Sequence, residues 1–200
     1  MPRSAAGIGH LYGAVAQCSR AATFFASGIR HPHTRSLPAT RAQRAVVLVV
    51  QNNAQSSAGL LLNRASPLSV ADLNTCDASK ACFAGAAVRA GGSQSPASLL
   101  VLHGHAEVTD SRCVAPGLYT GGLRTACALV HAGAVRAESF ALLAGYMAWP
   151  PGELRRQTEA GLWLPVSVSP ELVLQVACDT TFQHLAWYRL FSSVSIADRS

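Results

Sequence analysis

The run from Ala144 to Trp163 constrains the fold of this chain more than any other part of the sequence. It contains an apolar strand, the corner Trp149-Pro150-Pro151-Gly152, a short helix and a second tryptophan within twenty residues. Proline in the first positions of a helix costs no hydrogen bond, and glycine permits the sharp turn before it. Polar side chains in this run are few and scattered. The run therefore indicates a fold rather than a catalytic site.

Charge divides the chain just before its long Val/Leu run. Residues 1–44 carry six arginines and no acidic residue, whereas residues 45–200 carry ten basic and ten acidic side chains. The pI of 9.3 therefore belongs to the N-terminal segment. Because the charges of the remaining chain balance, we expect no direct nucleic-acid binding by the folded domain.

The N-terminal segment has the composition of an organelle transit peptide, since it contains Arg, Ser and Ala but no acid. Arg20 and Arg30 interrupt its apolar stretches, which disfavours a secretory signal. We predict that residues 1–44 are a basic leader or a disordered tail, removed on import up to a point between Arg20 and Arg44. A first strand at 23–28 is the alternative for part of this segment.

Residues 45–195 are predicted to form one domain. Half of the residues are apolar and 13% are charged, which supplies a substantial core. The longest apolar runs, Ala45–Val50 and Ser98–Leu102, are far shorter than the roughly 20 residues that a membrane span needs. The composition therefore predicts a soluble protein without a membrane span.

Short strands and tight turns dominate the predicted elements. The pattern predicts two strands, Ala45–Gln51 and Gly59–Asn63, that pair as a hairpin. Glycines follow the predicted helices Leu123–His131 and Pro151–Ala160. The other predicted elements are short helices at Pro67–Leu73, after Ser169 and at Thr180–Leu190, a strand and turn at Cys82–Val88, and strands at Leu99–His103, Ser139–Met147 and Leu162–Val168. This pattern predicts an α+β fold, a single compact domain with a mainly antiparallel sheet and short helices packed on it.

Four sequence blocks resemble the AlgH (YqgE-like) family in order and spacing. They are Val46-Val47-Leu48, Gly59–Arg64, Gly117–Gly122 and the run Gly145–Trp163. The resemblance covers about residues 45–190 and implies a compact fold on a largely antiparallel sheet. It also implies a family largely without an established biochemical activity, whose bacterial members are linked to regulation of gene expression. Plant and algal relatives tend to carry plastid leaders.

The chain departs from the family pattern at several turns. Ala65 stands where the family usually has Pro after Asn-Arg, and Ala84-Gly85-Ala86-Ala87 stands where it has a Gly-Gly-Pro turn. Leu123 follows the Gly-Gly pair in place of an acid or Asn. The corner has Pro150 and Glu153 where the family usually has Gly and Gln. These changes put any ligand role of those turns in doubt.

Asn63 and Arg64 are the candidate ligand-binding residues, because they lie at the end of a predicted strand. The planar guanidinium can bind an anion or a carboxylate. In the alternative interpretation, Arg64 pairs with an acid of the fold and Asn63 satisfies the backbone of the turn.

Metal, cofactor and catalytic assignments find little support in the sequence. His103-Gly104-His105 can supply two zinc ligands, with Cys82 and Cys113 as further candidates, but no second paired-ligand motif accompanies them. There is no G-x-S-x-G motif, and no histidine is visibly paired with an orienting acid. We therefore assign no metal, no cofactor and no catalytic residue.

The sequence favours a non-enzymatic regulatory or binding protein with an unknown protein partner. We expect it in the chloroplast, with the mitochondrion as the alternative organelle and the cytoplasm if the N-terminus is no leader. The competing hypothesis is an enzyme whose site assembles around Asn63, Arg64, His103 and Glu153. Convergence of these four residues on one cavity would favour the enzyme.

Overall fold

A largely antiparallel sheet forms the framework onto which the helices pack. The computed structural model describes residues 22–26 and 45–178. Single-turn 3-10 helices lie at Val70–Asp72 and Ala137–Ser139. Within the described residues the strands are β1 Ala22–Ala26, β2 Val46–Asn52, β3 Ser57–Leu61, β4 Val88–Ala90, β5 Gln94–His103, β6 Ser111–Ala115, β7 Leu118–Gly121, β8 Ala141–Trp149 and β9 Leu164–Val168, and the α-helices are α1 Asp77–Cys82, α2 Leu123–His131, α3 Glu153–Glu159 and α4 Pro170–Cys178.

The strands follow each other across the sheet in the order β6-β7-β5-β8-β3-β2-β1-β9, and β4 pairs with β8 off this path. The β4–β8 pair is parallel, and all other pairs of these strands are antiparallel. β2 and β3 form the predicted hairpin, with Leu48 opposite Leu60. The prediction of an α+β fold with a mainly antiparallel sheet is confirmed.

A strand from the N-terminal segment lies inside the sheet. β1 pairs with β2 along one side and with β9 along the other, so that Phe24 stands opposite both Leu48 and Val166. This strand corresponds to the alternative that the sequence offered at 23–28. Its removal would separate β9 from the rest of the sheet.

Both faces of the central strands are covered, which explains their continuous apolar sequences. In β5, Leu100 and Leu102 pack on the face that Val173 of α4 covers. The alternate residues Leu99 and Val101 pack on the opposite face, together with Phe83. Side chains at successive strand positions point to opposite faces, so one strand contributes to both cores.

The two signature tryptophans form a third buried cluster at the β2–β3 side of the sheet. Trp149 and Trp163 are each 5% exposed and pack with Leu154 of α3 and Val47 of β2. The tryptophans therefore hold α3 against the sheet, which agrees with a run that indicates a fold rather than a catalytic site.

Two glycines allow the chain to cross close to β8. A Cβ at Gly91 would lie 2.2 Å from the carbonyl oxygen of Gly145, and one at Gly92 would lie 2.0 Å from the carbonyl carbon of Tyr146. Any side chain there would clash with backbone that cannot move aside. Gly91 and Gly92 are thus required for close approach of the backbones, whereas at Gly85 a Cβ would meet open space and the left-handed φ of +80° favours glycine instead.

Several local predictions differ from the structure. The segment predicted as a helix at Pro67–Leu73 contains only the 3-10 turn Val70–Asp72, and the strand expected from Cys82 is preceded by α1 and begins at Val88. The predicted helix Thr180–Leu190 lies outside the described residues. None of the helices in the described part of the chain combines the length and the apolar character needed to cross a membrane.

Candidate functional site

Asn63 serves the backbone of the neighbouring strand. It follows the end of β3, is 4% exposed, and its Oδ1 accepts a hydrogen bond of 2.9 Å from the N–H of Val46. A buried amide hydrogen without a partner would cost about 1–3 kcal/mol, so this contact gives Asn63 a structural role.

Arg64 reaches back onto the same stretch of chain. Its Nη1 donates to the carbonyl oxygen of Asn63 at 3.0 Å, and partial burial lowers the pKa of its guanidinium. Arg89 of β4, which is 2% exposed, donates to the carbonyl oxygen of Leu62 at 3.1 Å. Two guanidinium groups therefore hold consecutive carbonyls where β3 ends.

Glu153 belongs to a hydrogen-bond network that fixes the tryptophan corner. Its carboxylate accepts hydrogen bonds from Gln157 Nε2 at 2.8 Å and from Arg156 Nε at 3.1 Å. Both hydrogen bonds lower the pKa of Glu153, and the one from Gln157 has the larger effect. The amide oxygen of Gln157 in turn accepts hydrogen bonds from the indole N–H groups of Trp149 and Trp163. Glu153 thereby orients the group that both tryptophans need.

His103 is enclosed by aromatic rings at the end of β5. It is fully buried, its ring stacks on Tyr119 with centroids 5.8 Å apart, and Phe140 lies 5.5 Å away. Its Nδ1 accepts a hydrogen bond of 3.3 Å from the backbone N–H of His105. Burial lowers the pKa of this imidazole, which is therefore neutral at pH 7.

The four residues of the enzyme hypothesis are not brought together. No hydrogen bond among the described residues joins Asn63 or Arg64 to His103 or Glu153. Asn63 and Arg64 lie at the end of β3, whereas His103 ends β5 and Glu153 begins α3. The hydrogen bonds of His103 and Glu153 lie at the end of β5 and within α3, respectively.

The structure assembles an arrangement that the sequence analysis missed, at the surface beside His103. His105 Nε2 lies 2.8 Å from the hydroxyl of Ser139, and its Nδ1 lies 3.4 Å from a carboxylate oxygen of Glu107. The sequence alone did not single out Glu107, although it lies only two residues after His105. Ser139, however, is 34 residues from His105, and only the pairing of β5 with β8 brings the two segments together.

The order acid, imidazole, hydroxyl resembles that of hydrolytic triads, but its surroundings differ. The hydroxyl of Ser139 donates to the carbonyl of Arg136 at 2.6 Å. The amides of Ser139 and Phe140, which would have to stabilise an oxyanion there, donate to the carbonyls of Arg136 and Ala137 at 3.1 Å. The side chain of Glu107 is 54% exposed, whereas the acid of a triad is buried. The arrangement therefore anchors a turn.

Two other kinds of site receive little support from the described residues. No three His, Cys, Asp or Glu side chains in residues 22–26 and 45–178 are grouped so that they could hold a metal ion. A shallow groove between Leu60, Leu100, Tyr146 and Arg112 encloses about 20 Å³, which is room for one water molecule. None of the candidate residues lines this groove.

Fold and site together define a small α+β protein whose notable polar side chains stabilise turns, strand ends and a helix. The comparison with protein families agrees: an AlgH-like family model matches residues 33–193. This chain belongs to the AlgH-like family.

Bacterial relatives and solved structures support the assignment. A UPF0301 protein of Anaeromyxobacter dehalogenans (strain 2CP-1) is 32% identical over 69% of this chain and 75% of its own length. One from Chlorobaculum tepidum is 29% identical, over 66% of this chain and 69% of its own. The structure of AlgH from Pseudomonas aeruginosa superposes with a TM-score of 0.62 at 18% identity, covering 91% of this chain and 95% of AlgH. At this identity the likeness shows the shared fold.

Proposed function

We propose that this chain is a non-enzymatic binding protein that regulates a protein partner by contact. The observation that carries the proposal is the use of the candidate polar groups inside the fold. Asn63 Oδ1 holds the N–H of Val46, and the Glu153 carboxylate holds Gln157. A group committed to the fold in this way is not available to bind or activate a substrate.

The dimensions of the groove support the same proposal. Sites for small molecules usually enclose about 300–1,000 Å³ and contain a few converging polar groups. The groove beside Tyr146 encloses about 20 Å³, and the residues of the enzyme hypothesis do not converge on it. The surface of a folded domain can bind a protein partner without such a cavity.

We further propose that the protein acts in the chloroplast and that import removes a leader ending before Ala22. The acid-free, arginine-containing composition of residues 1–44 supports the leader. The pairing of β1 with β2 and β9 supports a cleavage point before this strand, because later cleavage would remove it from the sheet. Determination of the mature N-terminus in cells tests this. An intact Met1, or cleavage after Ala26, would contradict it.

Affinity capture tests the binding function. The full-length chain with a C-terminal tag is expressed at its native level, captured from the organelle, and its co-purifying proteins are quantified. We expect a stoichiometric protein partner that remains bound at a salt concentration that screens surface charge. Recovery of the chain alone would contradict the proposal.

The basic N-terminal segment requires a matched control, since its charge can retain proteins or nucleic acids unspecifically. In one bait the six arginines from Arg3 to Arg44 inclusive are replaced by Gln, and in a second bait by Lys, which preserves the charge. Both baits are imported by fusion to an independent leader. We expect both to retain the partner. If the Gln bait lost the partner and the Lys bait retained it, the binding would depend on the charge of the N-terminal segment and not on the folded domain.

A serine hydrolase is the second candidate function, favoured by the contact of His105 with Ser139. A fluorophosphonate probe distinguishes it, because the probe labels serines that are activated as nucleophiles. We expect no labelling of Ser139 in the purified chain. Labelling that is abolished in both Ser139→Ala and His105→Ala would support the hydrolase and overturn the non-enzymatic proposal.

A further inference from the structure

Three cysteines lie where α1 packs against α2, Cys76 and Cys82 at the two ends of α1 and Cys127 in the middle of α2. The Sγ of Cys76 lies 3.2 Å from the hydroxyl of Ser79, and the thiol of Cys127 donates to the same hydroxyl at 3.5 Å. The thiol of Cys82 points at the carbonyl oxygen of Cys127, 3.9 Å away. Cys76, Cys82 and Cys127 all carry free thiols.

The three thiols differ in access and in acidity. Cys76 is exposed, and hydrogen bonds from the side chain and then the backbone of Ser79 lower the pKa of its thiol. Burial, with the neighbouring Cys127 thiol, raises the pKa of Cys82 to about 11. Cys127 is 6% exposed. Since the thiolate is the reactive form, solvent oxidants will meet a reactive sulfur at Cys76 first.

The hydroxyl of Ser79 connects the exposed and the buried sulfur. When Cys76 is a thiolate, the Ser79 O–H donates to it, and the Cys127 S–H donates to the Ser79 oxygen. This series of hydrogen bonds runs from the Cys127 thiol through the Ser79 hydroxyl to the Cys76 thiolate. It therefore places a proton donor next to the reactive sulfur of Cys76. It also places the two sulfurs within two hydrogen-bond lengths of each other.

We propose that Cys76 and Cys127 form a peroxide-responsive dithiol site, in which Cys76 is oxidised first and Cys127 resolves it into a disulfide. In the first step the Cys76 thiolate attacks one oxygen of hydrogen peroxide, the O–O bond breaks, and a sulfenic acid and hydroxide form, the latter taking up a proton to become water. In the second step the Cys127 sulfur attacks the Cys76 sulfur and displaces its hydroxyl. The Cys127 proton passes through Ser79 to that hydroxyl, which leaves as a second water. Two thiols and one peroxide thus give one disulfide and two waters.

The disulfide would change the packing of the two helices. A sulfur–sulfur bond is about 2.05 Å long, so the Ser79 hydroxyl must leave its place between the sulfurs. Cys76 precedes the first residue of α1, whereas Cys127 lies in the middle of α2. Oxidation would therefore draw the start of α1 onto α2 and cross-link segments that are far apart in the sequence.

Mass spectrometry of the full chain tests the proposal. The reduced protein is treated with one equivalent of hydrogen peroxide, its remaining thiols are alkylated, and the peptides are mapped. We expect a linked peptide pair containing Cys76 and Cys127, lighter by two hydrogens than the separate peptides. Cys178 serves as the internal reference, since it is half-buried and burial raises its pKa; we expect it to stay reduced.

Two variants assign the roles of the sulfurs. Cys76→Ser, at an exposed position where the fold is not at risk, should abolish the peroxide-dependent link. Cys127→Ser should leave a sulfenic acid on Cys76 that dimedone traps. A disulfide between Cys82 and Cys127 that also forms in Cys76→Ser would overturn the proposal. So would oxidation of Cys178 as fast as that of Cys76, or oxidation without any linked peptide.

The role of Ser79 as a positioning residue has a separate readout. In Ser79→Ala the Cys76 thiolate loses its hydrogen-bond donor, so the pH midpoint for alkylation of Cys76 should rise. A rise of one pH unit would lower the alkylation rate near neutral pH about tenfold. The rate for Cys178 should not change, since a merely structural effect would alter both. An unchanged midpoint for Cys76 would overturn the assigned relay.

Discussion

The indole nitrogens of Trp149 and Trp163 donate to the same oxygen. Both hydrogen bonds end on Oε1 of Gln157, at 3.2 Å from Trp149 and 2.8 Å from Trp163, and the rings meet edge to face with centroids 6.0 Å apart. One amide thus satisfies two buried polar groups that arrive from β8 and from the segment after α3. The two tryptophans of the family signature therefore have a structural role, since they connect α3 and the segment after it to β8.

Gln157→Leu should destabilise the protein by about 2–4 kcal/mol, because it leaves two buried indole N–H groups without an acceptor. Urea unfolding followed by tryptophan fluorescence measures the change. Arg155→Ala, on the exposed face of the same helix, is the matched control: its ion pair with Glu159 spans 3.8 Å, both side chains are mostly exposed, and it should change stability by less than about 1 kcal/mol. Equal losses in the two variants would contradict the shared-acceptor role.

Asn63→Ala should cost about 1–3 kcal/mol, because the N–H of Val46 loses its acceptor in a buried position. Asn53→Ala is a suitable comparison, since Asn53 Oδ1 accepts backbone hydrogen bonds in the exposed hairpin loop, where water can replace it. We expect the larger loss of unfolding free energy for Asn63. If Asn63→Ala were as stable as wild type but bound the captured partner less tightly, Asn63 would be a binding residue.

The free energy of unfolding should decrease as the pH is lowered below about 6.5, because of His103. Burial lowers the folded-state pKa of His103 from its model-compound value of 6.5, so the unfolded chain binds a proton that the folded chain does not. The contribution of His103 to the free energy of unfolding is complete above the pKa of the unfolded state. It is lost as the pH falls from there toward the pKa of the folded state, by at most about 1.4 kcal/mol per pH unit.

Unfolding measured between about pH 8 and pH 5 tests the role of His103 in wild type and in His103→Phe, which keeps an aromatic ring beside Tyr119 and Phe140. The variant should show a flatter dependence on pH. His105→Gln controls for the neighbouring histidine. A slope that persists in His103→Phe and disappears in His105→Gln would contradict the role assigned to His103.

Elements governed by local signals were predictable from the sequence. The helix Leu123–His131 coincides with α2, because glycines lie immediately before it and just after it, and the Val/Leu run after Ala45 became β2. α1 was missed, since its sequence Asp-Ala-Ser-Lys-Ala-Cys has little apolar periodicity and begins after a cysteine. Packing against α2 stabilises this helix, and such tertiary contacts leave no local pattern.

The candidate sites depended on contacts that a single sequence does not encode locally. His105 meets Ser139 because β5 and β8 are neighbours, and Cys76 meets Cys127 because α1 packs on α2. The Asn63 interpretation shows the reverse: a residue pair at a strand end suggested ligand binding, whereas the end of β3 itself needed an acceptor for Val46. Residue type and spacing indicated polar chemistry, but topology decided whether it served the fold.

The unfolding free energy of Trp163→Ala tests most directly the claim that the signature residues are structural. Trp163 is 5% exposed in the cluster with Trp149 and Leu154, and its truncation leaves a large cavity. We predict a loss of about 3–5 kcal/mol, and a smaller loss for Trp163→Phe, which keeps the ring but not the indole N–H. A Trp163→Ala protein within about 0.5 kcal/mol of wild type would contradict the account and place the side chain in a functional role.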